Sequence, residues 1–308
     1  MPAGRLAPSR APWDHSSSLR SMTAKADAGL EPDEYWEARL RERPGLDGVG
    51  VSGLGPGFNR WAYRIRAINF ERALRGCLQA GAPGRVLDIG SGTGFWIDRW
   101  ERLGAREVVA SDLTEVVVDR LAAKRPGLDV RRLDIGSEGA LAAAGLEPGS
   151  FDCVSAIDVL FHLLSGSAYR TAFANVAALL REGGMFVFSE DMARGSGVRR
   201  RQIKVTRSAR RTRRTWEAAG LEECHRSRLF VLMNFPSTGG AAARRRYRRL
   251  DRLLSPRPWL GGPVGAALFP LEWALTKRGD QGPSTKLVIC RKPARSPEPP
   301  RPAPGDAK

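Results

Sequence analysis

Arg85-Val-Leu-Asp-Ile-Gly-Ser-Gly-Thr-Gly94 decides how this chain folds. The first five residues read as a short apolar strand. The next five hold three glycines, and a helix is expected from about Phe95 to Leu103. Glycine lets the backbone turn tightly and approach a ligand closely. A helix that starts at such a turn presents unpaired N–H donors to whatever lies there. Strand, glycine turn and helix therefore make a binding edge. Asp88 stands just before the turn, and Asp112 lies twenty residues beyond Gly92, at the end of the next strand. A carboxylate in that place can accept hydrogen bonds from ribose hydroxyls.

Outward from this stretch, strands and helices alternate. Strands are expected at 107–111, 129–133, 151–157 and 185–190, with helices at 114–124 and 167–181. Gly183-Gly184 stops the last of these helices. A helix at 207–219 follows, and the final strands are expected at 229–235 and 286–290. Alternation of this kind predicts an α/β, Rossmann-like, doubly wound, seven-stranded and mostly parallel sheet. The segment 236–283 is too long for a hairpin loop. It is expected to be a helical lid insertion before the last strand, capping the site. It joins a basic helix, Ala241 to Leu254, to an apolar one, Val264 to Thr276. A helical extension precedes the core.

The ligand can be narrowed. A dinucleotide turn reads G-x-G-x-x-G, whereas here the third glycine comes one residue early and Phe95 takes its place. Asp88 is a poor neighbour for a pyrophosphate but suits the ammonium of an amino-acid-like group, directly or through water. Two carboxylates around a glycine turn favour a nucleoside that carries an amino-acid tail.

Val86-Leu-Asp-Ile-Gly-Ser-Gly-Thr-Gly94 resembles motif I of the class I S-adenosylmethionine-dependent methyltransferases. Leu133-Asp-Ile135, Phe151 to His162 and Leu180 to Phe188 resemble the later motifs of that superfamily, in order, with Glu182 where proline is usual. The resemblance implies S-adenosylmethionine as cofactor. It places Asp88, Gly90, Ser91, Gly92, Gly94, Phe95, Asp112, Leu113, Asp134, Ile135 and Ile157 around it, with Asp134 and the Ile135 backbone at adenine. Glu34-Tyr-Trp-Glu-Ala-Arg39 resembles a segment seen before motif I in several small-molecule methyltransferases. There Tyr35 and Trp36 would pack on the sulfonium, and Arg39 would meet the cofactor carboxylate. An amphipathic helix packed on the domain is the alternative. Asn59 to Arg64 would line the pocket or form an ordinary surface helix.

Methyl transfer to a hydroxyl needs in-line approach, exclusion of water and a base. His162 is the candidate base, with Asp158 four residues earlier to orient or polarise it; a packing role is the other reading. The expected acceptor is a small molecule bearing a hydroxyl, such as a natural product, sugar or glycolipid. The motif IV region lacks the Asn/Asp-Pro-Pro-aromatic signature of exocyclic-amine enzymes and the Pro-Cys of cytosine-carbon enzymes. The basic clusters are not interleaved with stacking aromatics. An RNA methyltransferase and a non-catalytic binding protein of the same fold are the rival readings.

The 308 residues carry a formal net charge of +17, yet only seven of the 50 basic residues are lysines. Such a balance favours acidic partners, or reflects a high-GC coding sequence. Peripheral membrane contact through the insertion is a sharper reading of its basic and apolar helices. Four scattered cysteines and three scattered histidines give no metal or redox spacing. No signal peptide is seen, and Pro263, Pro270 and Glu272 break the most apolar late stretch. A cytoplasmic setting is expected. Residues 1–30 and the proline-rich 293–308 are expected to be disordered tails around a methyltransferase domain at 31–292, whose core motifs span 84–190.

Overall fold

The computed structural model describes residues 32–294, apart from 52, 79–80, 194–198, 202 and 280–281. Residues 1–30 and nearly all of the C-terminal tail lie outside the described residues. Three helices come first: α1 (Pro32–Glu42), α2 (Leu46–Val49) and α3 (Gly55–Cys77). The core then runs β1 (Arg85–Ile89), α4 (Phe95–Arg102), β2 (Glu107–Asp112), α5 (Glu115–Lys124), β3 (Asp129–Arg132), α6 (Ala140–Ala143) and β4 (Phe151–Ala156). A 3-10 turn at Leu160–His162, α7 (Gly166–Leu179) and β5 (Leu180–Glu190) follow. The chain continues through β6 (Met192–Ala193), β7 (Arg199–Arg201), β8 (Lys204–Ser208), α8 (Ala209–Ala218) and β9 (Glu222–Arg228). It ends with α9 (Ala241–Leu254), a 3-10 turn at Pro258–Leu260, α10 (Gly261–Thr276) and β10 (Lys286–Arg291).

Seven strands form one sheet in the order β3-β2-β1-β4-β5-β10-β9. β1 pairs in parallel with both β2 and β4, and β10 is antiparallel to β5 and β9. The expected mostly parallel, seven-stranded sheet is therefore present. Side chains along each strand alternate between two cores, as the two-residue period of a strand requires. Val86, Val108, Ala110, Cys153 and Val187 face Phe70, Trp96 and Trp100 on one side. Leu87, Ile89, Val109, Val154 and Ala156 face Phe173, Phe186, Phe188 and Trp216 on the other. Strands buried on both faces read as continuous apolar runs, which is why β1 was visible in the sequence. The connections leave β1 towards β2 on one side and β4 on the other. Ligands bind at such a switch point, beyond the carboxyl ends of the strands.

Two expectations need correction. The sixth core strand is Glu222–Arg228 rather than 229–235. It sits at the sheet edge, where charged side chains are tolerated, and its polar sequence hides it. The apolar run after it turns inward, with Leu229, Phe230 and Met233 buried. Beyond the Leu229 N–H, which donates to the Thr285 carbonyl at 3.1 Å, side chains rather than a ladder meet its backbone. Glu272 accepts from the N–H groups of Val231 and Leu232 at 2.7 Å each, and Asn69 donates to the Leu229 carbonyl at 3.1 Å.

The insertion is helical, as expected, but it does not cap the site. Its long helix α10 packs along α3, with Trp61 and Phe269 ring centroids 5.2 Å apart. Gly265 makes that approach possible: a Cβ there would fall 2.7 Å from the Trp61 ring. Among the described residues, none between 236 and 283 lines the cavity above the glycine turn.

Candidate active site

The glycine turn is held by the strands it joins. The N–H groups of Gly90 and Ser91 both donate to the Ser111 carbonyl, at 2.8 and 2.9 Å, which ties the β1 turn to the end of β2. Gly90 and Gly92 adopt φ values of +71° and +54°. A Cβ on Gly90 would also lie 2.5 Å from Val159 Cγ2. Gly92 N–H donates to Asp112 Oδ2 at 3.1 Å, and Thr114 donates to Oδ1 from its N–H and its hydroxyl. Asp112 is thus fixed at the β2 end with its carboxylate at the cavity wall.

Asp88 is fully buried beneath the turn and does not itself line the cavity. Ser155 donates to Oδ1 at 2.6 Å and accepts from Trp100 Nε1 at 2.8 Å. Oδ2 is buried without a hydrogen-bond partner. Burial pushes the Asp88 carboxyl up to about 7, against the opposing effect of Ser155 and Ser91. Gly94 likewise stands back from the cavity. It starts α4 in the left-handed region at φ +81° and packs near Leu121.

A cavity of about 690 Å³ opens above the turn. It brings together Tyr35, Trp36, Arg39, Gly90, Ser91, Gly92, Phe95, Asp112, Leu113, Asp134, Ile135, Ile157, Asp158 and His162. These come from five separate stretches of sequence, and Asp88 and Gly94 are the two candidates left out. Asp134 is exposed at the wall, and its carboxylate accepts from Gly136 N–H at 3.0 Å and from the Ser137 hydroxyl. Both contacts hold the loop after β3.

Arg39 lines the cavity and is also tied to its neighbours. Its Nε donates to the Gly48 carbonyl at 2.6 Å, and Nη1 donates to the Tyr35 hydroxyl at 3.1 Å. The guanidinium therefore splints α1 to α2. The Trp36 ring lies edge-on to His162, with centroids 4.7 Å apart.

His162 Nδ1 lies 2.5 Å from the Ile203 carbonyl, so Nδ1 carries the proton and Nε2 the lone pair. Burial drives its pKa down to about 4, only partly offset by that carbonyl. The carbonyl of Ile203, not Asp158, orients the imidazole. Asp158 is engaged elsewhere: Oδ2 pairs with Arg66 Nη2 at 2.6 Å, and Ser189 donates to Oδ1 at 2.9 Å.

Sequence reasoning missed several lining residues. Tyr63 and Arg66 stand one helical turn apart on α3 and face the cavity together. Lys204 reaches it too, paired with Asp191 at 2.7 Å and lying 3.8 Å from the Phe161 ring centroid. Val49, Gly50 and Val51 are held in place by Asn59, which accepts from Val51 N–H at 2.7 Å and donates back to the Val51 carbonyl. The open choice over 59–64 is thus resolved: Tyr63 lines the pocket and Asn59 positions a neighbour that does. An alternation of apolar and polar residues at helical spacing was the available signal, but it does not say which helix faces a ligand.

Residues 86–184 match the family of methyltransferase domains. That match runs from β1 into β5 and holds the glycine turn, and over it the chain is similar to the class I S-adenosylmethionine-dependent methyltransferases. Among curated relatives, a ubiquinone biosynthesis O-methyltransferase of Xanthomonas euvesicatoria is 36% identical over 177 residues, covering 57% of this chain and 61% of that protein. A protein of the same name from Dinoroseobacter shibae is 38% identical over 107 residues, covering 34% of this chain and 40% of that protein. The chain thus spans about three fifths or less of the length of these relatives. A solved N1-methyltransferase from Burkholderia thailandensis, with bound 1,6-didemethyltoxoflavin and S-adenosylhomocysteine, aligns over 94% of both chains at 19% identity and a TM-score of 0.45.

Proposed function

We propose that this chain transfers a methyl group from S-adenosylmethionine to a hydroxyl of a small molecule. One observation carries the reading. A single cavity joins the glycine turn, Asp112 and Asp134 to an imidazole whose Nε2 lone pair is unprotonated. The residues present fit the donor. Two left-handed glycines leave the turn without side chains, and the Asp112 carboxylate stands beside them at the cavity wall. A volume of this size is typical of small-molecule sites. The O-methyltransferase names of the relatives support a hydroxyl acceptor.

When bound, the donor supplies a sulfonium methyl group to an incoming nucleophile. Asp112 would accept from ribose hydroxyls, and Asp134 with the Ile135 backbone would meet the base. Trp36, Phe95 and Tyr63 keep water from the reacting end. His162 takes the acceptor's hydroxyl proton at Nε2, while Nδ1 keeps its bond to Ile203. So weak a base stays neutral until the oxygen begins to lose its proton, so the imidazole does not repel a cationic donor at rest.

The test is direct. The protein is incubated with S-adenosylmethionine and a panel of phenols, catechols, sugars and other hydroxylated metabolites, and products are scored by mass. The reading requires a mass gain of one methylene on an oxygen. Methylation confined to nitrogen or carbon acceptors, or to RNA, contradicts it.

A further inference from the structure

Among the described residues, the large hydrophobic side chains that stand exposed all lie on one segment, the insertion between β9 and β10. They are Leu253, Trp259, Leu271 and Trp273, and Trp259 is 73% exposed. The core site does not use them, since no described residue of 236–283 lines its cavity.

The helix α10 shows what kind of surface this is. Its sixteen residues contain one charged group, Glu272, and that carboxylate is buried against the Val231 and Leu232 N–H groups. The other side of α10 turns Pro263, Ala267, Pro270, Leu271 and Trp273 outward. An ordinary surface helix carries charge on that side. The inward side is already satisfied by Trp61 and the rest of α3. An exposed apolar face of this kind marks an interaction site.

Charge selects the occupant. The neighbouring α9 carries six arginines and one acid, Asp251. Arg245, Arg246, Arg248, Arg249 and Arg252 are exposed, and Arg257 stands two residues before Trp259. Lys277 and Arg278 are exposed at the other end of α10, with Lys277 Nζ 3.2 Å from the Trp273 ring centroid. Tryptophan and leucine flanked by arginine is the composition that settles at an anionic lipid interface. A nucleic-acid surface would be polar throughout. No helix among the described residues is long and apolar enough to cross a membrane, so the contact is peripheral.

We propose that the α9–α10 face docks on an anionic membrane surface, with Trp259, Leu271 and Trp273 entering the interface and the arginines meeting lipid phosphates. The helix α3 then links the two ends of the molecule. It packs on α10 on one side and places Tyr63 and Arg66 at the cavity on the other. Docking is a property of the surface and does not depend on methyl transfer.

Co-sedimentation with vesicles tests it, using the full chain without donor or acceptor. The two vesicle types are phosphatidylcholine alone and phosphatidylcholine mixed with phosphatidylglycerol. Binding is expected to the anionic vesicles and to weaken as salt rises. Trp259→Ser combined with Leu271→Gln should lower it about tenfold or more. Arg245→Glu with Arg248→Glu should abolish the preference for phosphatidylglycerol. These side chains are exposed, and an unchanged melting curve confirms that each variant folds. Equal failure to bind both vesicles overturns the proposal. So does a dimer that the Trp259 and Leu271 substitutions dissolve, or tight RNA binding by the same arginines. A protein that binds vesicles but methylates no hydroxyl would contradict the proposed function and leave the docking intact.

Discussion

Arg66 Nη2 and Asp158 Oδ2 lie 2.6 Å apart, joining α3 to the loop that follows β4. The guanidinium is sandwiched between Tyr63 and Phe230, whose ring centroids lie 4.7 and 4.8 Å from Cζ. Asp158 is the one non-glycine residue at positive φ among the described residues, at +62°. A left-handed aspartate persists only where its surroundings hold it. Arg66 and Ser189 supply that hold, so the floor of the cavity is set by a helix and a strand together.

Removing Arg66 should therefore be costly. Arg66→Ala leaves a partly buried carboxylate without its partner and empties the space between two rings. A loss of about 3–5 kcal/mol is expected from denaturant unfolding. Asp158→Gly should be milder than Asp158→Ala, because glycine accepts the left-handed backbone. Equal losses for the two would show that the backbone at 158 carries no strain.

Substitution in the glycine turn gives a second contrast. Gly90→Ala combines φ +71° with a Cβ 2.5 Å from Val159 Cγ2. Donor binding should be lost and the melting temperature should fall. Gly149→Ala shares the positive φ, at +69°, but its Cβ meets open space. It should cost about 1 kcal/mol through backbone conformation alone. Titration calorimetry and thermal melts separate the two.

His162 and Asp88 make pH predictions of different kinds. With His162 held near a pKa of about 4, kcat should stay level as pH falls through the ordinary histidine range, and drop only near that lower value. His162→Ala should lower kcat by about 10²–10⁴-fold and remove that limb, with donor affinity unchanged. A variant of near-normal kcat would make His162 a packing residue beside Trp36.

Asp88 acts on stability. The unfolded chain sheds this proton near 3.8, while the folded one keeps it to about 7. Between those values the folded state binds more protons, so this group lowers stability as pH rises through the window. Asp88→Asn removes the slope. Relative to the parent, the variant should gain stability from about pH 4 to about pH 8 in urea melts. A difference that does not change with pH would mean that Asp88 ionises normally in place.

The sequence showed the glycine-turn side of the cavity far better than the side lined by α3 and β8, and the reason is physical. Gly90, Gly92, Asp112 and Asp134 sit at ends of successive parallel strands, so alternation alone brings them to one edge. Tyr63, Arg66, Lys204 and Thr285 reach the cavity from elements whose docking no local pattern encodes. Arg39 also lines the cavity, but the carbonyls of Asp47 and Gly48 that its guanidinium meets belong to the next helix, a contact that the resemblance at 34–39 does not carry. The edge strand at 222–228 was hidden because it pairs on one side only. The apolar run after it, which looked like the strand, is core without a ladder.

Titration calorimetry with S-adenosylmethionine, its demethylated product and NAD tests the central claim most directly. The account predicts that both sulfur compounds bind and NAD does not. It also predicts that Asp112→Ala weakens the donor by roughly 1–3 kcal/mol, the cost of charged hydrogen bonds left unmade. Tight binding of NAD with no heat from S-adenosylmethionine would contradict it.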